Sequence, residues 1–262
     1  MDFQQGLITT IHEYGVTRNL LKELNKSLKK RSTSILIPCL YEEFERPALK
    51  DIKEVLKDLT GLNELVIALS AKTVEQVNAA KSFFDSMPFP VHVQWTNSPS
   101  VIELLKSQEK NGLELLGTPG KGWAVWQGIG VATRKSEVVA LFDADIRTFS
   151  SLYPSRMILP LLDESYGISY VKAFYSRLSL ETNQLQGRAT RLFVGPLLAS
   201  LLSEVYRNVR TSKIAQVDLG LFDHKHKNIG DSSKEGLQKM CKEILSSVLR
   251  LSLIHISEPT RP

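Results

Sequence analysis

Cysteine is scarce: Cys39 and Cys241 are the only two in 262 residues. Cys39 follows an apolar run and Cys241 sits in a helical apolar stripe, so neither is spaced for a metal or a redox pair. Two core thiols in a reducing cytosol are the default reading. Met1-Asp2-Phe3-Gln4-Gln5 lacks a basic-then-apolar pattern as well, so no leader is expected. No apolar run approaches the ~20 residues that a membrane span requires. The expectation is a cytoplasmic protein without a membrane span. Zinc spacing, a recognition helix and aromatic-basic ribonucleoprotein motifs are also absent. The formal charge of +5 and pI near 9.1 favour acidic partners. Basic residues are scattered apart from Lys29-Lys30-Arg31, so phosphates and carboxylates are expected rather than nucleic acid.

What is present centres on Val138-Val139-Ala140-Leu141-Phe142-Asp143-Ala144-Asp145. The apolar residues before Asp143 read as a strand buried on both faces. In extended chain, spacing i, i+2 sends Asp143 and Asp145 to the same side. Two hard oxygen ligands at the mouth of an α/β sheet suit Mg²⁺ or Mn²⁺ shared with a phosphate-bearing substrate. The same two residues would equally cap the strand and open a turn.

Around this stretch strand and helix alternate. Residues 1–33 read as a helical segment, with Leu20, Leu21, Leu24 and Leu28 on one face. Strands are expected at Ser34–Pro38, Glu64–Ser70, Val91–Trp95, Ile168–Tyr175 and Ile214–Gly220. Helices are expected from Pro47 to Leu59, after the capping boxes Thr73-Val74-Glu75-Gln76 and Ser100-Val101-Ile102-Glu103, and from Trp123 to Thr133. Two more follow, from Gly187 through Leu202 and from Ser232 through Val248. These lengths fit βαβ units and a mainly parallel sheet, which binds ligands beyond the carboxyl ends of its strands. Pro38 to Glu43, Ser70, and Asp143 with Asp145 all fall there. Gly117-Thr118-Pro119-Gly120-Lys121-Gly122 precedes a helix and would let a phosphate approach the backbone, with Lys121 to pair with it. It is not a P-loop, because the two-glycine spacing and the hydroxyl residue after Lys are absent; an ordinary loop is the alternative. Arg188 and Thr190 at a helix start suit an anionic acceptor or a solvated first turn. His224 and His226 are metal ligands or a surface pair. The last apolar stripe would serve a homodimer interface as well as the domain's own core.

Several blocks together resemble the glucosyl-3-phosphoglycerate synthases, retaining GT-A glycosyltransferases. Ile37-Pro38-Cys39-Leu40-Tyr41-Glu42-Glu43 is similar to the family's nucleotide-binding turn. Gly120-Lys121-Gly122 is similar to the segment ahead of its central helix, and Asp143-Ala144-Asp145 to its metal-binding Asp-x-Asp. Val171 to Tyr175 and Gly187-Arg188-Ala189-Thr190 resemble its acceptor-side strand and loop. Ile214 to Gly220 with His224 resembles its closing strand and metal-ligand histidine. The resemblance implies a GT-A-like, Rossmann-type α/β fold: a mostly parallel sheet flanked by helices in a single domain over residues 34–250. A nucleotide-sugar half would span 34–146 and an acceptor half 147–250. It further implies glucose transfer with retention from UDP-glucose or GDP-glucose to 3-phosphoglycerate. Asp143, Asp145 and Lys121 would be catalytic, with Mg²⁺ or Mn²⁺ held by Asp145 and His224. Pro38, Cys39, Leu40, Glu42, Ser70, Lys121, Asp143 and Ala144 would contact the donor, and Gly187, Arg188, Ala189 and Thr190 the acceptor. Mannosyl or other hexosyl transfer to a small acidic acceptor is the alternative.

The chain departs from the family pattern in three places. Tyr41 and Phe222 stand where the family has Asn and tends to have Arg. Only Ala199 to Ile214 separates Pro196-Leu197-Leu198 from Ala215-Gln216-Val217, where the family carries several dozen residues. A segment of the pocket is therefore expected to be deleted, which leaves a non-catalytic nucleotide-binding fragment as a further alternative. Residues 251–262 resemble the translated end of a sequencing adapter and are set aside as a non-native tail.

Overall fold

The structure is a computed structural model, and it describes residues 8–16, 18–109, 120–177 and 209–223. The chain divides into two compact units, Tyr14–Gly167 and the pair of segments Met1–Glu13 and Ile168–Pro262.

The first strand, β1 (Thr9–Ile11), lies within the stretch expected to be helical. Thr9, Thr10 and Ile11 are all β-branched, which favours a pleated strand over a helix. Helix in residues 1–33 is confined, among the described residues, to α1 (Leu20–Leu28). Asn19 caps it by accepting from the Lys22 N–H at 3.1 Å, and Leu20, Leu24 and Leu28 form its buried face.

The elements of the larger unit follow as β2 (Thr33–Leu40), α2 (Pro47–Leu56), β3 (Glu64–Ser70), α3 (Val74–Phe83), β4 (Val91–Trp95), α4 (Pro99–Glu109), α5 (Lys121–Ala132), β5 (Val138–Leu141) and α6 (Leu152–Leu162). The four strands form a parallel sheet in the order β4-β3-β2-β5. β2 and β3 are the central pair, and Ile35, Leu36, Ile37, Leu65, Val66 and Ile67 are fully buried. The same apolar character extends along β5: Val139 packs into the core under α5 and Val138 and Ala140 are buried, while Leu141 at the strand's end is 44% exposed. The start of α4 lies ahead of the expected capping box: Pro99 opens the helix and Ser98 caps it, accepting from the Val101 N–H at 3.3 Å. Proline at the first helical position forfeits no hydrogen bond, which fixes this start. Thr73 caps α3 as the capping box implies.

In the smaller unit β6 (Tyr170–Arg177) and β7 (Ile214–Phe222) join β1 in a second parallel sheet, in the order β1-β7-β6. Gln216, fully buried, donates to the Thr10 hydroxyl at 2.7 Å across the β1–β7 pair. Both sheets are parallel, and the helices of the larger unit flank its strands. Among the described residues no helix is long and apolar enough to cross a membrane.

Helix α5 is the element that ties the sheet to its upper edge. Ala124, Gly128 and Ala132 recur every four residues and form the stripe that meets Leu36, Val66 and Ala68. A Cβ on Gly128 would stand 2.3 Å from Leu36 Cδ1 and 3.2 Å from Ala68 Cβ, whereas one on Gly130 meets nothing within 4 Å. Gly128→Ala is therefore expected to destabilise the fold by about 1–3 kcal/mol through overpacking. Gly130→Ala should be neutral or stabilising by up to about 1 kcal/mol, from helix propensity alone. Denaturant unfolding of the two variants beside the parent checks the contrast.

Candidate active site

Because the four strands of the larger unit run parallel, their carboxyl ends share one edge. Pro38, Cys39 and Leu40 are the last residues of β2, and Ser70 ends β3 in register with Leu40. Glu42 and Glu43 lie in the 3₁₀ turn that follows β2. Asp143, Ala144 and Asp145 lie just past β5, whose next residue, Phe142, still donates its N–H to Leu36 O at 3.0 Å. Lys121 is the first residue of α5. The first N–H groups of that helix have no intrahelical acceptor, and the helix dipole adds partial positive charge there.

The charged groups at this edge are crowded. Lys121 Nζ stands 2.5 Å from Asp143 Oδ1. The Asp145 carboxyl is pushed above the ordinary aspartate range, by burial first and then by the neighbouring Asp143 charge; Lys121 pulls the other way and Glu43 adds to the rise. Glu43 is buried, with one oxygen paired to Arg46 and the other, Oε2, left without a hydrogen-bond partner. Glu42 is more open and faces Lys72 Nζ at 3.8 Å. Burial, with the charges of Glu43, Asp145 and Glu42, drives the Cys39 thiol far above its usual value. Cys39 is thus a neutral thiol that lines the edge, and thiolate chemistry is closed to it.

The donor side of the expected site therefore comes together in one unit. The acceptor residues Gly187, Arg188, Ala189 and Thr190 and the metal ligand His224 lie outside the described residues, so the described part shows no acceptor geometry. Among the described residues, no three His, Cys, Asp or Glu side chains converge as a ready metal cage. The carboxylates nevertheless suit a hard divalent cation: Asp145 resists ionisation where it stands, and Glu43 Oε2 is an orphan acceptor. Glu43 falls within the Pro38–Glu43 stretch expected at the site, but the sequence assigns it no role of its own.

No protein-family model matches the sequence. A glucosyl-3-phosphoglycerate synthase from Methanococcoides burtonii is 34% identical over 297 aligned positions, which cover 96% of this chain and 74% of that protein. The chain belongs to the glucosyl-3-phosphoglycerate synthase family. A second synthase, from Persephonella marina, is 29% identical over 95% of this chain and 73% of its own length. The first alignment is longer than the 262 residues here, so that synthase carries several dozen residues with no counterpart in this chain. The glucosyl-3-phosphoglycerate synthase of Mycobacterium tuberculosis shares the fold. Its complex with Mn²⁺, UDP-glucose and phosphoglyceric acid superposes with a TM-score of 0.64 at 21% identity, covering 94% of this chain and 88% of that one. Its complex with Mg²⁺ and UDP gives 0.61 at 21% identity, covering 92% and 86%. The synthase family is one of glycosyltransferases, and the mostly parallel α/β architecture agrees with it.

The raised pKa of the Asp145 carboxyl has a stability consequence whose sign is fixed. A carboxyl whose folded pKa lies above its unfolded value favours folding fully below the unfolded pKa, near 3.9, and loses that contribution as pH rises through the folded pKa. At pH 7 and without divalent cation, ionised Asp145 is therefore a liability. Asp145→Asn should melt at higher temperature than the parent at pH 7, and the gain should shrink as the pH is brought down towards 4. Thermal melts across that range in EDTA measure it.

Proposed function

We propose that the chain transfers glucose from UDP-glucose to 3-phosphoglycerate with retention, assisted by Mn²⁺ or Mg²⁺. The single observation that carries the reading is the Lys121–Asp143 pair at the carboxyl edge of the sheet, beside an Asp145 carboxyl that feels the charges of Asp143, Lys121 and Glu43. The substrates are those in complex with the Mycobacterium tuberculosis synthase.

In this reading Ser70 and the end of β2, Pro38 to Leu40, hold the nucleoside, with Glu42 beside it. Asp145, with Asp143 and the His224 of the sequence, would hold the divalent cation against the donor diphosphate. When bound, the cation supplies Lewis-acid stabilisation of that diphosphate as a leaving group. Cleavage of the sugar–phosphate bond develops negative charge on the same oxygens. Lys121 and the open N–H groups at the start of α5 face developing charge of that sign, which lowers the barrier without any rearrangement at the moment of reaction. Lys121 would exchange Asp143 for phosphate as the donor arrives. On the acceptor side, Arg188 with Gly187, Ala189 and Thr190 would pair with the phosphate or carboxylate of 3-phosphoglycerate.

A second reading is favoured by the residues missing against the Methanococcoides burtonii synthase: nucleotide binding without turnover. Both are tested by one set of measurements. With UDP-glucose, 3-phosphoglycerate and Mn²⁺ present together, UDP should be released, and release should stop in EDTA and return with added Mn²⁺ or Mg²⁺. Asp145→Ala should lower kcat by about 10²–10³-fold and Lys121→Met by about 10²-fold. Full activity of Asp145→Ala would overturn the assignment, and calorimetric binding of UDP with Mg²⁺ but no UDP release would select the second reading. Competition among UDP-glucose, GDP-glucose and GDP-mannose identifies the donor, since an Asp-x-Asp pair addresses only the diphosphate.

A further inference from the structure

Past Ser70 the β2–β3 ladder ends, and nothing in the sheet itself holds the next residues in place. They are held instead from β4. Thr96 donates both its N–H and its hydroxyl to Leu69 O, at 2.9 and 3.0 Å. Asn97 then clamps Ala71 through the peptide groups on either side of it: its Nδ2 donates to Ala71 O at 2.9 Å, and its Oδ1 accepts from the Ala71 N–H at 3.1 Å. The Trp95 indole donates to the same Ala71 oxygen at 3.0 Å. Gln76 Oε1 accepts from the Lys72 N–H at 2.7 Å. Finally Gln127, on the helix that begins with Lys121, donates to Thr96 O at 3.0 Å.

Ala71 is buried between two residues that face the mouth, Ser70 at the end of β3 and Lys72 beside Glu42. We propose that Asn97 is a positioning residue for the donor's nucleoside, its amide fixing the Ala71 peptide so that Ser70 and Lys72 are presented in one geometry. This rests on the donor reading of Ser70 given above. Because Asn97, Trp95 and Gln76 engage the Ala71 N–H, the Ala71 carbonyl and the Lys72 N–H, those backbone groups are spent on the clamp. Recognition at this strand end then falls to the Ser70 hydroxyl and to side chains. A side chain with two bonds to the backbone of one residue, on a loop with no ladder of its own, restricts the chain entropy that a bound nucleoside would otherwise have to remove.

Asn63 provides the control. It also bonds backbone through its amide, to Lys135 O at 3.2 Å, and to Ser136 Oγ at 3.0 Å, but it stands at the amino end of β3. On the full chain, titration calorimetry with UDP and Mn²⁺ should show Asn97→Ala binding about 5–10-fold more weakly than the parent, the loss of roughly one net hydrogen bond. The donor KM should rise by the same factor, with kcat and the 3-phosphoglycerate KM within twofold. Asn63→Ala should lower the melting temperature and leave UDP affinity at the parent value. Asn97→Asp, which keeps the acceptor and loses the donor, serves if Asn97→Ala does not fold. Parent-like UDP affinity in the folded Asn97 variant, with weakened binding in Ser70→Ala, would overturn the proposal and leave the donor reading standing. Parent-like affinity in Ser70→Ala as well would remove the donor reading at this strand end. Equal weakening in Asn97→Ala and Asn63→Ala would also overturn it, as a general loss of stability.

Discussion

The larger unit is organised around more carboxylate than it can neutralise. Glu42, Glu43, Asp143 and Asp145 gather at one sheet edge, and the cations within reach answer them unequally. Arg46 pairs with one oxygen of Glu43 and leaves the other buried and unmatched. Lys121 is spent on Asp143, so Asp145, the more buried aspartate, is left with a disfavoured charge. A fold selected for stability alone would replace such a residue with an apolar or amide side chain, because an unmatched buried charge costs more than it returns. In the proposed reading the compensating partner is a doubly charged cation with a diphosphate, which has the right sign and hardness.

That crowding can be held only because the scaffold beneath it is close-packed. The contact of Gly128 with Leu36 and Ala68 lets α5 lie against β2 and β3, which brings its amino end to the edge where Asp143 stands. A bulkier stripe would lift the helix and carry Lys121 away from the carboxylates. The same helix sends Gln127 to the loop after β4, and that loop holds the one after β3. Core packing, the position of the cation-bearing helix and the order of two loops are thus one mechanical unit. Every bond in it lies within Tyr14–Gly167.

How much of this the sequence disclosed depends on the range of the interaction. Short, strongly patterned runs announced themselves: Val91–Trp95 and Glu64–Ser70 are strands over those same residues, because apolar or alternating runs of that length bounded by polar turns have few other uses. The edge position of Pro38, Ser70 and Asp143 followed from parallel order alone. Thr9–Ile11 did not: three residues gain strand form from pairing with β7, some two hundred positions away, and no local window contains that partner. Ser98 was passed over for Ser100 because both offer a hydroxyl, and only the proline between them decides. Asn97 and Gln127 were invisible for a different reason. An amide that bonds backbone in a neighbouring loop has the same composition as one that bonds water, and the distinction exists only in three dimensions.

The Lys121–Asp143 pair shows why the site need not be rigid in its charges to be rigid in its frame. Both side chains are substantially exposed, and a pair of that kind contributes about 0–1 kcal/mol, too little to hold the fold together. What it does is keep the ammonium at the edge, beside the carboxylates and ahead of the helix start, at small energetic cost to release. In the proposed reading an incoming diphosphate would offer Lys121 more negative charge than one aspartate does, and would free Asp143 to face a cation in the same exchange. Such a swap would conserve the number of paired charges and relieve Asp145, whose deficit the lysine alone does not cancel. Weak pairing on a fixed backbone is therefore the better design for this edge than a buried, permanent salt bridge, because only the former can be traded for substrate.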